Sequence, residues 1–109
     1  MSPGELLRII PTDVRGTLRL VGELDISNVE QVQAQLGEEL VACQQLTLDA
    51  SGLTFMDSQG LRMLIGLGER AGARGWTVRL LNCSKAVRRT LDVAVPHGIP
   101  GVEVIYPDT

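Results

Sequence analysis

Apolar and polar positions alternate along the chain with two periods, and the switch between them predicts strands alternating with helices. Residues 5–10 are a short apolar run that reads as a strand. Residues 17–21 read as a second, and the turn region between them, with Pro11 and Asp13, suits an antiparallel pair. Ile26, Val29, Val32, Leu36 and Leu40 then recur at spacings of three and four, which predicts a first helix over about 27–42. Ser27 followed by Glu30 reads as a capping box, with Ser27 as N-cap. Residues 46–50 are a third strand. Ser51, Gly52, Leu53 and Thr54 read as a loop, pinned to the core by Phe55 and Met56. A second helix follows over about 58–74, with Leu61, Leu64, Ile65, Gly68 and Ala71 on one face and Gly75 just past its end. Residues 76–81 are a fourth strand. Ser84 can cap a third helix over 85–95, whose inner face is Val87, Leu91 and Ala94. Pro96, Gly98 and Pro100 end it, and residues 102–106 are a short last strand.

The strands themselves alternate. Thr17, Arg19, Thr47 and Arg79 interleave with Leu18, Leu20, Leu48, Val78 and Leu80. A sheet covered on both faces would read as continuous apolar runs. Alternation predicts one face packed by helices and one face in water. Right-handed crossovers between successive parallel strands put all the helices on the same side. The expected fold is therefore α/β, a mixed four- to five-stranded sheet with helices mainly on one face. It is not doubly wound, so no nucleotide site at a topological switch point is expected.

Composition narrows the function classes. The chain has 109 residues and no internal repeat, low-complexity stretch or linker, so residues 1–109 are expected to form one domain. That length buries roughly 60–70% of the unfolded surface, enough for a core without metal or disulfide. Aromatics are 3%, namely Phe55, Trp76 and Tyr106, so the core is aliphatic and base stacking on nucleic acid is poorly supplied. A net charge of −3 argues against phosphate-backbone binding. No apolar run approaches the ~20 residues of a membrane span, and residues 1–5 show no leader, so the cytoplasm is the expected location. Cys43 and Cys83 form no CxxC pair, and the single histidine, His97, completes no metal site with them. Buried or half-buried free thiols are the expectation, with a redox switch as the alternative. No cofactor is implied.

The candidate chemistry sits at Asp57, Ser58, Gln59 and Gly60. Asp57 or Ser58 is placed to cap the second helix, and Gly60 leaves its first turn uncrowded. A helix N-terminus has unpaired N–H groups and favours negative charge, so a phosphate on Ser58 is compatible with the fold. A plain cap is the competing reading. Gln59, Arg62 and Met63 put an exposed mixture beside the serine, and Arg62, four residues on, could pair with a phosphate there. A nucleophilic enzyme would need a base for Ser58, and His97 lies in a turn between Pro96 and Gly98. The glycines of the second helix have no phosphate-loop spacing.

The stretch Leu48-Asp49-Ala50-Ser51-Gly52-Leu53-Thr54-Phe55-Met56-Asp57-Ser58-Gln59-Gly60-Leu61, together with Gly22-Glu23-Leu24-Asp25, resembles the STAS family. The likeness spans about residues 6–95, and within the family it points to the stand-alone anti-sigma factor antagonists of bacteria. That resemblance implies a STAS (SpoIIAA-like) fold. It implies Ser58 as the residue phosphorylated by an anti-sigma factor that is itself a serine kinase, with Asp57 positioning the serine and Asp25 close to it in space. Asp25, Asp57, Gln59, Gly60, Arg62 and Met63 would form the partner surface. The unphosphorylated protein would bind the anti-sigma factor and free a sigma factor; a phosphatase acting on phospho-Ser58 would reset the switch. The protein would be a monomer or a weak homodimer, binding neither nucleic acid nor membrane. The alternative is a STAS scaffold subunit of a larger regulatory or lipid-transport complex, without phospho-switching. Two places depart from the family pattern: the turn Pro96-His97-Gly98-Ile99-Pro100-Gly101, and Arg62, where a small or apolar residue is usual.

Overall fold

In the computed structural model, which describes residues 7–106, strands and helices follow one another in the expected order. They are β1 (Leu7–Pro11), β2 (Thr17–Leu24), α1 (Val29–Cys43), β3 (Gln45–Met56), α2 (Ser58–Arg74), β4 (Thr77–Leu81), α3 (Lys85–Ala94) and β5 (Val102–Ile105). Residues 5 and 6 of the expected first strand lie outside the described residues. The five strands form one sheet in the order β1-β2-β3-β4-β5. β1 and β2 are antiparallel, with Ile9 opposite Leu20. The other pairs are parallel: Leu18 lies beside Leu48, Leu48 beside Leu80, and Leu80 beside Val104.

The expected single-faced burial is present. Leu18, Leu20, Leu46, Leu48, Ala50, Val78 and Leu80 are buried, while the intervening Arg19, Arg79 and Glu103 are exposed. On that wet face Arg79 Nε donates to Glu103 Oε1 at 3.0 Å, an exposed pair worth roughly 0–1 kcal/mol. From the helices, Val32, Leu36 and Leu40 of α1, Leu64, Leu67 and Ala71 of α2, and Val87 and Leu91 of α3 complete the core.

Four expectations at element ends need correction. Residues 51–54 are not a loop: β3 continues to Met56 beside β2. The pairing slips between Arg19 and Val21 and again between Gly22 and Glu23, so burial along β3 passes from every second residue (Leu46, Leu48, Ala50) to every third (Leu53, Met56). Bulges of this kind hide a strand from a search for period two. Met56 is a core anchor, but Phe55 is exposed. The capping box at Ser27 does not form either: α1 starts at Val29 with Asn28 as N-cap and no side-chain cap. Ile26 falls off the helix and is 73% exposed.

The turn after α3 packs closely on α2. A Cβ on Gly68 would meet the Pro100 carbonyl oxygen and, at 2.9 Å, Val102 Cγ2. Gly101, at φ +83°, lies against Gly68 in turn, so only glycine fits on both sides. The turn drops Ile99 into the core and delivers β5 to the sheet edge.

Candidate functional site

Because β2 and β3 are parallel, both strands end at the same end of the sheet, with Leu24 beside Met56. The turn into α1 and the start of α2 are therefore neighbours, although they are about thirty residues apart in sequence.

Asp57 joins them. It is the N-cap of α2, and its Oδ1 accepts from the backbone N–H groups of Gln59 at 2.9 Å and Gly60 at 3.0 Å. Its Oδ2 accepts from the N–H of Ile26 at 3.1 Å, across to the other turn. Its own N–H donates to the Leu24 carbonyl at 3.1 Å. A residue read from sequence as a helix cap is thus also the clasp between two loops.

Ser58 is the first residue of α2, exposed to solvent, and its hydroxyl has no hydrogen-bond partner among the described residues. The facing turn is kept rigid from within. Asp25 Oδ1 accepts from the backbone N–H of Ser27 at 2.9 Å and from its hydroxyl. Asn28, only 2% exposed, accepts from the Asp25 N–H at 3.1 Å and donates to the Glu23 carbonyl at 2.8 Å. Sequence reasoning missed Asn28. Its one signal was a side chain able to hydrogen-bond nearby backbone, immediately before a helix.

The other expected site residues divide. Gln59 is half-buried and Arg62 exposed. With Val29, Gln33 and Met63 they line a shallow groove between α1 and α2. Met63, expected on the exposed surface, is 4% exposed, because its position puts it on the core stripe of α2 beside Leu64 and Leu67. Gly60 is buried as well: a Cβ there would come within 2.7 Å of Met56 Cγ and 2.9 Å of Leu24 Cγ, so it lets α2 start close against both strands. Exposed apolar side chains, Ile26 and Phe55, belong instead to the segments that flank Ser58 in the fold.

The expected space for an anion at the start of α2 is also smaller than the sequence suggests. Asp57 already fills that place with its own carboxylate.

Outside this site, two of the described side chains have shifted pKa values. Burial pushes the Cys83 thiol up to about 11, against a smaller opposing pull from the Arg88 charge, so it is not a ready thiolate. Cys43 is half-buried and likewise free. Partial burial disfavours ionised Asp49, yet hydrogen bonds from Ser51 and Asn82 and the charge of Arg19 outweigh it and hold the carboxyl below its ordinary range. Among the described residues no cluster of His, Cys, Asp and Glu could hold a metal ion, and no helix is long and apolar enough to cross a membrane.

The family model described as Mlab, STAS domain, matches residues 10–99. The chain belongs to the STAS domain family. One relative in the family is the Anti-sigma F factor antagonist of Paenibacillus polymyxa, 32% identical over 84 residues, covering 73% of this chain and 72% of that one. Among solved structures, the anti-sigma factor antagonist SpoIIAA in its unphosphorylated form is 25% identical, with a TM-score of 0.67 over 94% of this chain and 89% of the other. The Bacillus cell fate determinant SpoIIAA in its phosphorylated form superposes with a TM-score of 0.67 at 23% identity, over 94% of this chain and 91% of the other. The mixed five-stranded sheet with three helices is the STAS fold. The C-terminal turn that departs from the family pattern in sequence still delivers a paired last strand.

Proposed function

We propose that this STAS protein is an anti-sigma factor antagonist whose hold on its partner is switched off by phosphorylation of Ser58. The observation that carries the reading is the placement of that serine: an exposed hydroxyl without a partner among the described residues, on a clasped junction of two loops, flanked by acidic and apolar side chains. The kinship with anti-sigma factor antagonists supports the same reading. The partner is an anti-sigma factor with serine kinase activity. The Ser58 Oγ takes the γ-phosphoryl group of ATP, ADP leaves, and the hydroxyl proton passes to a base of the kinase. A phosphatase restores the hydroxyl. This chain contributes a surface and an acceptor, and no turnover of its own.

The physics of the switch follows from charge. A phosphoserine adds about −1.5 to −2 near neutral pH. It meets Asp57 and the nearby turn that carries Asp25. Gln59 and Gly60 N–H groups already serve Asp57, so the helix has little left to offer the phosphate. In a complex shaped around a hydroxyl, the new charge is desolvated with little compensation, which costs several kcal/mol. About 4 kcal/mol is a thousandfold in affinity.

The test is binding to the cognate anti-sigma factor, measured by calorimetry. Ser58→Ala should bind like the wild type and accept no phosphate from the kinase and ATP. Ser58→Asp should bind at least tenfold more weakly. Equal binding by Ser58→Asp and wild type sinks the charge switch. Co-purification with a membrane transporter, without modification at Ser58, favours a scaffold instead.

A further inference from the structure

We propose that Arg62 is the cation that holds a phosphate on Ser58, so that the modified protein carries its own phosphate-binding residue. The inference rests on Ser58 as the modified residue and adds how the modified side chain is held.

The backbone offers little to a phosphate here. The Gln59 and Gly60 N–H groups point to Asp57 Oδ1, and the Leu61 N–H donates to the Asp57 carbonyl at 3.1 Å. Of the first four amides of α2, only that of Ser58 itself is uncommitted among the described residues. The carboxylates of this junction, Asp57 and Asp25, repel the phosphate. Arg62 differs in each respect. It lies four residues on, one turn up the same helix, and it is exposed. It makes no ion pair with any described residue. Its side chain lines the groove with Gln59 and Met63, and because helical side chains lean toward the N-terminus, the turn that begins at Ser58 is within its reach. An anion four residues before a cation is the favoured order of such a pair. The guanidinium fork also matches a phosphate in two parallel hydrogen bonds. From α1, Val29 and Gln33 line the shallow groove with Arg62, and the groove holds no carboxylate to compete for it.

The experiment installs phosphoserine at position 58 of the full chain during translation, then titrates it by ³¹P NMR. Arg62→Gln should raise the second phosphate pKa by about 0.2–0.4 pH units, the size of a helical ion pair four residues apart. Arg62→Glu should raise it further, and Arg62→Lys should recover part of the wild-type value. In 1 M NaCl the difference between wild type and Arg62→Gln should shrink. A second pKa that is the same in wild type, Arg62→Gln and Arg62→Glu overturns the proposal. Because the phosphate is placed without a kinase, that outcome leaves the kinase reading standing. Conversely, a kinase that ignores Ser58 leaves the titration result intact.

Discussion

Asp57 carries more of this site than its reading as a helix cap suggests. One carboxylate terminates α2 and ties it to the β2–α1 turn through Ile26. An N-cap of this type is worth about 0.5–2 kcal/mol, and the single cross-loop hydrogen bond about 0.5–1.5 more. Asp57→Ala should therefore lose about 1–3.5 kcal/mol in urea unfolding, through a lower midpoint at unchanged slope. Asparagine is an equally good cap but has one oxygen where Asp57 uses two, so Asp57→Asn should fall between alanine and wild type. Wild-type stability in Asp57→Ala would mean that the clasp contributes nothing. The sequence showed the capping role, because Asp before a helical pattern is a local signal. It could not show the Ile26 contact, which exists only because two strands distant in sequence end side by side. Met63 fails for the opposite reason. Its place in the sequence groups it with half-buried Gln59 and exposed Arg62, while its phase on the helix puts it in the core.

At the scale of elements, the helices are more legible in the sequence than the longest strand. α2 and α3 have side-chain caps at Asp57 and Ser84, so their starts are legible, but the inner face expected for α3 holds only at Val87 and Leu91, since Ala94 in the last turn is exposed. β3 runs 12 residues but slips register twice against β2, and period two fails where the slips occur. The glycines of α2 show the same divide between local and tertiary causes. Gly68 and Gly72 look alike in sequence. Gly68 faces the backbone of the turn before β5, whereas a Cβ on Gly72 meets nothing within 4 Å. Replacing a helical glycine by alanine gains up to about 1 kcal/mol where space allows. Gly72→Ala should accordingly raise the thermal midpoint. Gly68→Ala should lower it, because forcing a methyl against backbone costs roughly 1–3 kcal/mol and outweighs the propensity gain. Calorimetry on both variants checks the pair, and a stabilised Gly68→Ala would show that the turn is free to move away.

For the whole molecule, the one-faced sheet decides what kind of switch is available. Alternation in the strands predicted that layering correctly, since the sheet has one packed face and a wet face bearing Arg19, Arg79 and Glu103. The parallel strands β2, β3 and β4 all finish at one end of the sheet, and Ser58 sits there, outside the core. Around it the turns are held by backbone N–H groups that donate to the side chains of Asp25, Asn28 and Asp57, and no described side-chain nitrogen or oxygen is buried without a partner. A scaffold so satisfied has little slack to convert a surface charge into rearrangement. The switch in this reading acts by changing the surface and leaves the fold alone. Ser58→Asp is then a surface substitution, expected within about 0.5 kcal/mol of wild type in stability. On a domain near this size that moves the thermal midpoint by roughly 2–4 °C at most. Amide shifts in NMR spectra of Ser58→Asp should be confined to the turn at residues 25–28 and the first turns of α2. Shifts spreading into β4, β5 and α3 would instead demand a second conformation of the sheet, and a surface-charge switch would no longer account for the loss of binding.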